Sequence, residues 1–262
     1  MHPSPVCADR PSSRPVEVLL FGTCLLDLLA PAAGMAAVQL LQAAGVRVRL
    51  PAGQTCCGQP AWNSGYRRAA QTVARRQLVA LAGTAPVVVP SASCAGMLRV
   101  HYPRLFAGTD AAAAARQLAG RVFELCEFLD TVLGVRLIDQ GPPLTLALHQ
   151  SCSARREIGV APAAVRLLGQ LAGVRLLEPD HAHECCGFGG TFAVKVPEIA
   201  AAMAADKVAA IAATGAGLLV SQDLGCLMNL EGTAGKAGLD LRCLHIAEFL
   251  WARTGRAGTG LG

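Results

Sequence analysis

Aromatic side chains supply only 4% of this 262-residue chain. That scarcity argues against an aromatic-rich β-sandwich and for small side chains packing helices onto a sheet. Charge is sparse as well, at 16% of residues, and no block of one sign occurs: Arg67 and Arg68, Arg75 and Arg76, and Arg155 and Arg156 are scattered pairs. The formal excess of +5 therefore reads as solvated faces, and no nucleic-acid surface is expected. The polar start, MHPSPVCADRPSSRP, has no secretory h-region, which points to a reducing, cytoplasmic setting and away from a disulfide framework. A full dinucleotide fingerprint is missing too, since GFGG at residues 187–190 matches only a fragment of it. One apolar run, Leu19 to Val46, exceeds the length of a bilayer span, but Asp27, Pro31, Gln39 and Gln42 interrupt it. A buried strand, a loop and a helix begun by Pro31 account for the same letters, so no transmembrane segment is expected.

Hydrophobic residues make up 53% of the chain, and cysteine is plentiful at eleven. The segment LLQAAGVRVRLPAGQTCCGQPAWNSGY, from Leu40, aligns with LLGQLAGVRLLEPDHAHECCGFGGTFAVK, from Leu167, and the likeness marks a duplication. Cys24, Cys56 and Cys94 recur as Cys152, Cys185 and Cys226 at offsets of 128, 129 and 132 residues. Each half thus holds a lone cysteine, a Cys-Cys-Gly pair and a further lone cysteine. VEVLLFGTC, VRVRLPAGQTCC and APVVVPSASC in the first half, and LTLALHQSC, VRLLEPDHAHECC and GLLVSQDLGC in the second, are apolar runs leading into a cysteine loop. Strands alternating with helical segments imply an α/β fold of two pseudo-symmetric halves, each a mainly parallel sheet flanked by helices. Loops at strand carboxyl ends converge in a crevice in such sheets, which lets four distant thiols meet in each half. The expected organisation is a flexible tail over 1–15, halves over 16–140 and 141–252, and a glycine-rich tail over 253–262.

Thiolates suit zinc and iron–sulfur clusters. Zinc sites usually space their cysteines by two to four residues, whereas directly adjacent thiolates reach different irons of a cluster more readily than one ion. Gly58 and Gly187 let the backbone turn beside a bulky group. The eight repeated cysteines, Cys24, Cys56, Cys57, Cys94, Cys152, Cys185, Cys186 and Cys226, are the candidate ligands. Cys126 and Cys243 are read as small hydrophobes and Cys7 as incidental. His149 and His183 precede cysteines and are read as shaping hydrogen bonds around the site.

These motifs resemble the cysteine-rich CCG family of heterodisulfide reductase B subunits and glycolate oxidase iron–sulfur subunits. CCGQPAWNSGY, HQSCSARREIGV, CCGFGGTFAVK, CLMNLEG and LHIAEFLWAR look most like its lactate utilization protein A branch, over roughly Val16 to Arg253. The resemblance implies a cytoplasmic iron–sulfur subunit that transfers electrons in oxidation of L-lactate or a similar 2-hydroxy acid. It also implies two partners: a ferredoxin-like iron–sulfur protein and a third lactate-utilization subunit. The eight cysteines would hold one or two [4Fe-4S] clusters, with zinc as the alternative in one half. The fullest family motif ends in Cys-x-x-Cys, but Ser91 and Asp223 stand where its penultimate cysteine would be, as candidates for a further oxygen ligand. Four thiols per half fit an ordinary cluster or zinc and weigh against the noncubane cluster of some relatives. A zinc-bound assembly module and a thiol–disulfide redox subunit are the alternative functions.

Overall fold

The computed structural model describes residues 13–254. Most of both expected tails, with Cys7, lies outside the described residues. Among the described residues, eight strands form two separate four-stranded sheets, every pairing parallel. The first contains β1 (Glu17–Leu20), β2 (Arg47–Arg49), β3 (Val87–Val89) and β4 (Val122–Glu124) in the order β2-β1-β3-β4. The second repeats that order with β5 (Leu144–His149), β6 (Val174–Leu177), β7 (Leu218–Ser221) and β8 (Arg242–His245) as β6-β5-β7-β8. Composition explains the placement: β3 reads Val-Val-Val and is buried throughout, as a strand covered on both faces must be. The edge strand β2 reads Arg-Val-Arg with both arginines exposed.

From β1 the chain moves outward to β2, then returns to the other side of β1 for β3. The reversal between β1 and β3, repeated between β5 and β7, makes the topological switch point where a crevice opens at the strand carboxyl ends. The three cysteine loops expected in each half leave β1, β2 and β3, and again β5, β6 and β7. The loop expected between β1 and the Pro31 helix contains a short helix, Cys24–Leu29, because the Thr23 hydroxyl accepts a hydrogen bond from the Leu26 N–H and starts a turn. Among the described residues, no helix is long and apolar enough to cross a membrane.

The fourth strands are also duplicated. Phe-Glu-Leu-Cys-Glu-Phe-Leu at the end of β4 matches Leu-His-Ile-Ala-Glu-Phe-Leu at the end of β8. The helices that follow pack reciprocally across the molecule. Ile246–Thr254 lies on Pro31–Ala43 of the first half, while Leu125–Glu127 and its π-helical continuation Phe128–Val132 lie on Ala161–Gly169 of the second. One core cluster consequently unites Val18, Leu40, Val88 and Phe128 with Leu146, Leu167, Val220 and Leu250. Each such side chain contributes about 1.5–3 kcal/mol on burial, so exposing a few would offset the ~5–15 kcal/mol stability of a typical protein. Arg253, only 4% exposed, fastens the exchanged helix to the connection between the halves. Its Nε and Nη2 donate to Asp139 at 2.7 and 2.6 Å, and Nη1 donates to the Pro142 carbonyl at 2.6 Å.

Candidate metal centre

Each cysteine is presented by a strand end and a local backbone device. Cys24 begins the helix capped by Thr23, and Cys94 lies in the helix Ala92–Gly96, capped by Ser91, whose Oγ accepts from the Cys94 N–H at 3.3 Å. In the second half, Ser151 Oγ accepts from the Ala154 N–H at 3.2 Å beside Cys152, and Cys226 lies in the helix Leu224–Lys236 with Asp223 at its N-cap. The Cys-Cys pairs turn on glycines with φ of 87° at Gly58 and 80° at Gly187. These conformations let the Gly58 and Gly187 N–H groups point back to Cys56 Sγ and Cys185 Sγ, each at 3.4 Å. A Cβ at Gly187 would also meet the Ala200 carbonyl oxygen at 2.4 Å. Side chains from the helices after β3 and β7 anchor the pairs: Tyr102 Oη donates to the Cys57 carbonyl at 2.9 Å, and Asn229 Nδ2 to the Cys186 carbonyl at 2.7 Å.

All eight repeated cysteines line one cavity of about 350 Å³ between the halves. Cys57 and Cys186 are 2% exposed, whereas Cys152 reaches solvent. Within each half the thiols bear on one another's ionisation in chain order. Hydrogen bonds from Cys24 and Cys57 pull the Cys56 thiol well down, while Cys57, between Cys56 and Cys94, is pushed up. Bonds from Cys152 and Cys186 likewise lower Cys185, and Cys186 is raised by Cys185 and Cys226. The Cys226 thiol falls to about 7, first through its bond from Cys186 and further through the neighbouring His149. A central sulfur that ionises ahead of its neighbours is the electronic preparation a thiolate ligand needs. Cys126 is instead enclosed in the shared core, and Cys243 packs at the edge of the second-half core.

Ser91 and Asp223 meet across the pseudo-symmetry. The buried Asp223 carboxylate accepts from Ser91 Oγ at 2.8 Å, from the Ser93 N–H at 3.0 Å, and from Ser151 Oγ. This lock between the halves was not legible in the sequence, because its members are separated by 72 to 132 residues.

The two histidines differ. His183 is exposed, and its backbone carbonyl accepts from Arg156. His149 is 1% exposed, neither ring nitrogen has a hydrogen-bond partner, and a ring nitrogen lies within 4.8 Å of the sulfurs of Cys186 and Cys226. His149 is thus a buried imidazole beside two thiols, and it bears on the Cys226 thiol. Three residues ahead of Cys24 in the first half stands Phe21, and three ahead of Cys152 stands His149. That mismatch is the sequence signal that singles the histidine out. The donor set therefore fits a thiolate-ligated metal: soft sulfurs line one cavity, Cys56 in the first half and Cys185 and Cys226 in the second are predisposed to ionise, and the buried His149 ring lies beside two of the thiols.

The cysteine-rich CCG domain model matches residues 18–99 and 146–231, one copy in each half. Lactate utilization protein A of Geobacillus kaustophilus is 42% identical over 91% of this chain and all of its own length. Lactate utilization protein A 2 of Bacillus cereus is 39% identical over 90% of the chain and 98% of its own. A crystal structure of a hypothetical protein from Helicobacter pylori superposes on 95% of this chain with a TM-score of 0.64, at 12% identity and over 51% of that protein's chain, a likeness of fold. Two matched repeats and full-length relatives near 40% identity establish that the chain belongs to the cysteine-rich CCG domain family, in its lactate utilization protein A branch.

Proposed function

We propose that this chain is the thiolate-ligated iron–sulfur subunit of a cytoplasmic system that oxidises L-lactate or a similar 2-hydroxy acid. The observation that carries the reading is the convergence of eight duplicated cysteines on one cavity, together with relatives named for lactate utilization. Cys24, Cys56, Cys57 and Cys94 would hold the group of the first half, and Cys152, Cys185, Cys186 and Cys226 that of the second. A [4Fe-4S] cluster in either place would supply one-electron redox chemistry.

The chain's own residues perform the surrounding work. Gly58 and Gly187 N–H groups stabilise the first sulfur of each pair, while Tyr102 and Asn229 fix the backbone of the second. The Ser91–Asp223–Ser151 lock holds the two thiol sets on one cavity. Electrons would pass to a ferredoxin-like iron–sulfur partner, and a third subunit would complete the system. Zinc in one half is the second reading, favoured by the nitrogen-and-sulfur donor set of His149, Cys186 and Cys226.

Anaerobic purification with iron, sulfide and zinc analysis, followed by lactate-dependent dye reduction with co-purified partners, tests the proposal. The expected result is iron and sulfide bound to the chain, with dye reduction that requires it. Stoichiometric zinc without iron after reconstitution would overturn the electron-carrier reading.

A further inference from the structure

Two duplicated sites need not have equal ligands, and one buried side chain distinguishes them. At the end of β5, His149 presents two ring nitrogens without a hydrogen-bond partner of good geometry, a state that burial disfavours. Packing alone does not require an imidazole there, since Phe21 is fully buried at the matching position in the first half. Nor is an idle histidine the rule in this molecule. The equally buried His245 directs Nε2 at the Pro90 and Gln222 carbonyls, at 3.2 and 3.1 Å, and Nδ1 accepts from the Ala247 N–H at 3.2 Å. The nearest chemistry available to His149 is sulfur: its nitrogen and the thiols of Cys186 and Cys226 lie within 4.8 Å of one another, all three residues buried.

We propose that the second site is a mixed thiolate–imidazole metal site, in which one ring nitrogen of His149 ligates the metal beside Cys186 and Cys226, while the first site is bound by thiolates alone. The inference rests on the metal-binding reading of the thiols and adds a ligand to it. A neutral imidazole among thiolates leaves the site less negative, which raises the potential of an iron–sulfur centre. The duplication thereby becomes a pair of unequal centres with the higher potential in the second half.

The test uses the full chain labelled with ¹⁵N-histidine, purified anaerobically and loaded either with iron and sulfide or with cobalt(II) alone. Pulsed paramagnetic resonance is expected to show the strong ¹⁵N coupling of a directly bound imidazole. His149→Phe, which copies the first half, should abolish it, bring the two midpoint potentials together and weaken second-site metal retention against a chelator by at least about tenfold. His183→Ala should retain the coupling. Metal in both halves with no such coupling, or with only the weak coupling of a nitrogen outside the coordination sphere, overturns the inference and spares the thiol assignment. A coupling that survives His149→Phe does the same. A chain that takes up no metal under either loading overturns both.

Discussion

The two halves share a strand order, the four-thiol pattern and a glycine turn after each cysteine pair, yet several matched positions differ. Phe21 corresponds to His149, Ser91 to Asp223 and, at the start of the last helices, Glu124 to His245. The rims diverge as well: Cys24 leads into Leu-Leu-Asp-Leu-Leu, with Leu28 and Leu29 exposed, while Cys152 leads into Ser-Ala-Arg-Arg-Glu. The repeated parts are those that backbone geometry and sulfur donation demand. The divergent parts set charge, polarity and surroundings, so duplication conserved a cradle while the two environments became distinct.

Replacing a thiol tests the equivalence of the halves with the largest effect. Cys57→Ser and Cys186→Ser should each remove about half of the bound metal, whereas Cys126→Ser leaves it unchanged by elemental analysis. Equal losses from all three would erase the distinction between repeated and core cysteines. The Arg253 clasp has no first-half counterpart, since Val132 occupies the matching position. Arg253→Met removes the guanidinium from Asp139, which keeps its bonds from the Gly141 and Gly173 N–H groups, and should lower the unfolding free energy by about 2–3 kcal/mol in urea titration.

Glu124 sharpens the contrast through pH. Burial raises its carboxyl from the ordinary 4.5 to about 8, so between those values the folded chain binds more protons than the unfolded one. Stability from this group is complete below about 4.5 and is lost as pH rises through about 8. Glu124→Gln should flatten that decline and stabilise the chain at pH 8 by an amount on the order of a few kcal/mol. A parallel decline in both proteins would remove Glu124 as its source. Ser91→Asp would make the lock symmetric by placing a second carboxylate against Asp223. Repulsion should destabilise it by roughly 1–3 kcal/mol near neutral pH, with recovery on acidification as one carboxyl takes a proton. Thermal melts at two pH values measure the difference.

Much of the architecture was legible because duplication writes each local signal twice. Apolar runs of strand length entering a cysteine loop led to β1, β2 and β3 and to their counterparts β5, β6 and β7. Strand β4 is not legible, because Val-Phe-Glu is too short to stand out beside an alanine-rich helix. The repeat of Cys-Glu-Phe-Leu as Ala-Glu-Phe-Leu was its available signal. The eight cysteines were separated from Cys126 and Cys243 by position in the repeat. His149 stands out ahead of Cys152 in the sequence, but its closeness to Cys186 and Cys226 does not, because residues 37 and 77 positions away come together only when β5 pairs with both β6 and β7.

By itself the sequence determined the parallel α/β class, the duplication and the cysteines at strand ends, because these follow from local periodicity, turn chemistry and the spacing of like motifs. Tertiary structure decided that the two thiol sets share one cavity, that each half lends its last helix to the other, and that Asp223 locks to Ser91 and Ser151. The physical reason is that these arrangements depend on how the two halves dock. Docking is governed by summed apolar burial and paired polar groups across long chain separations, and no local pattern encodes those sums.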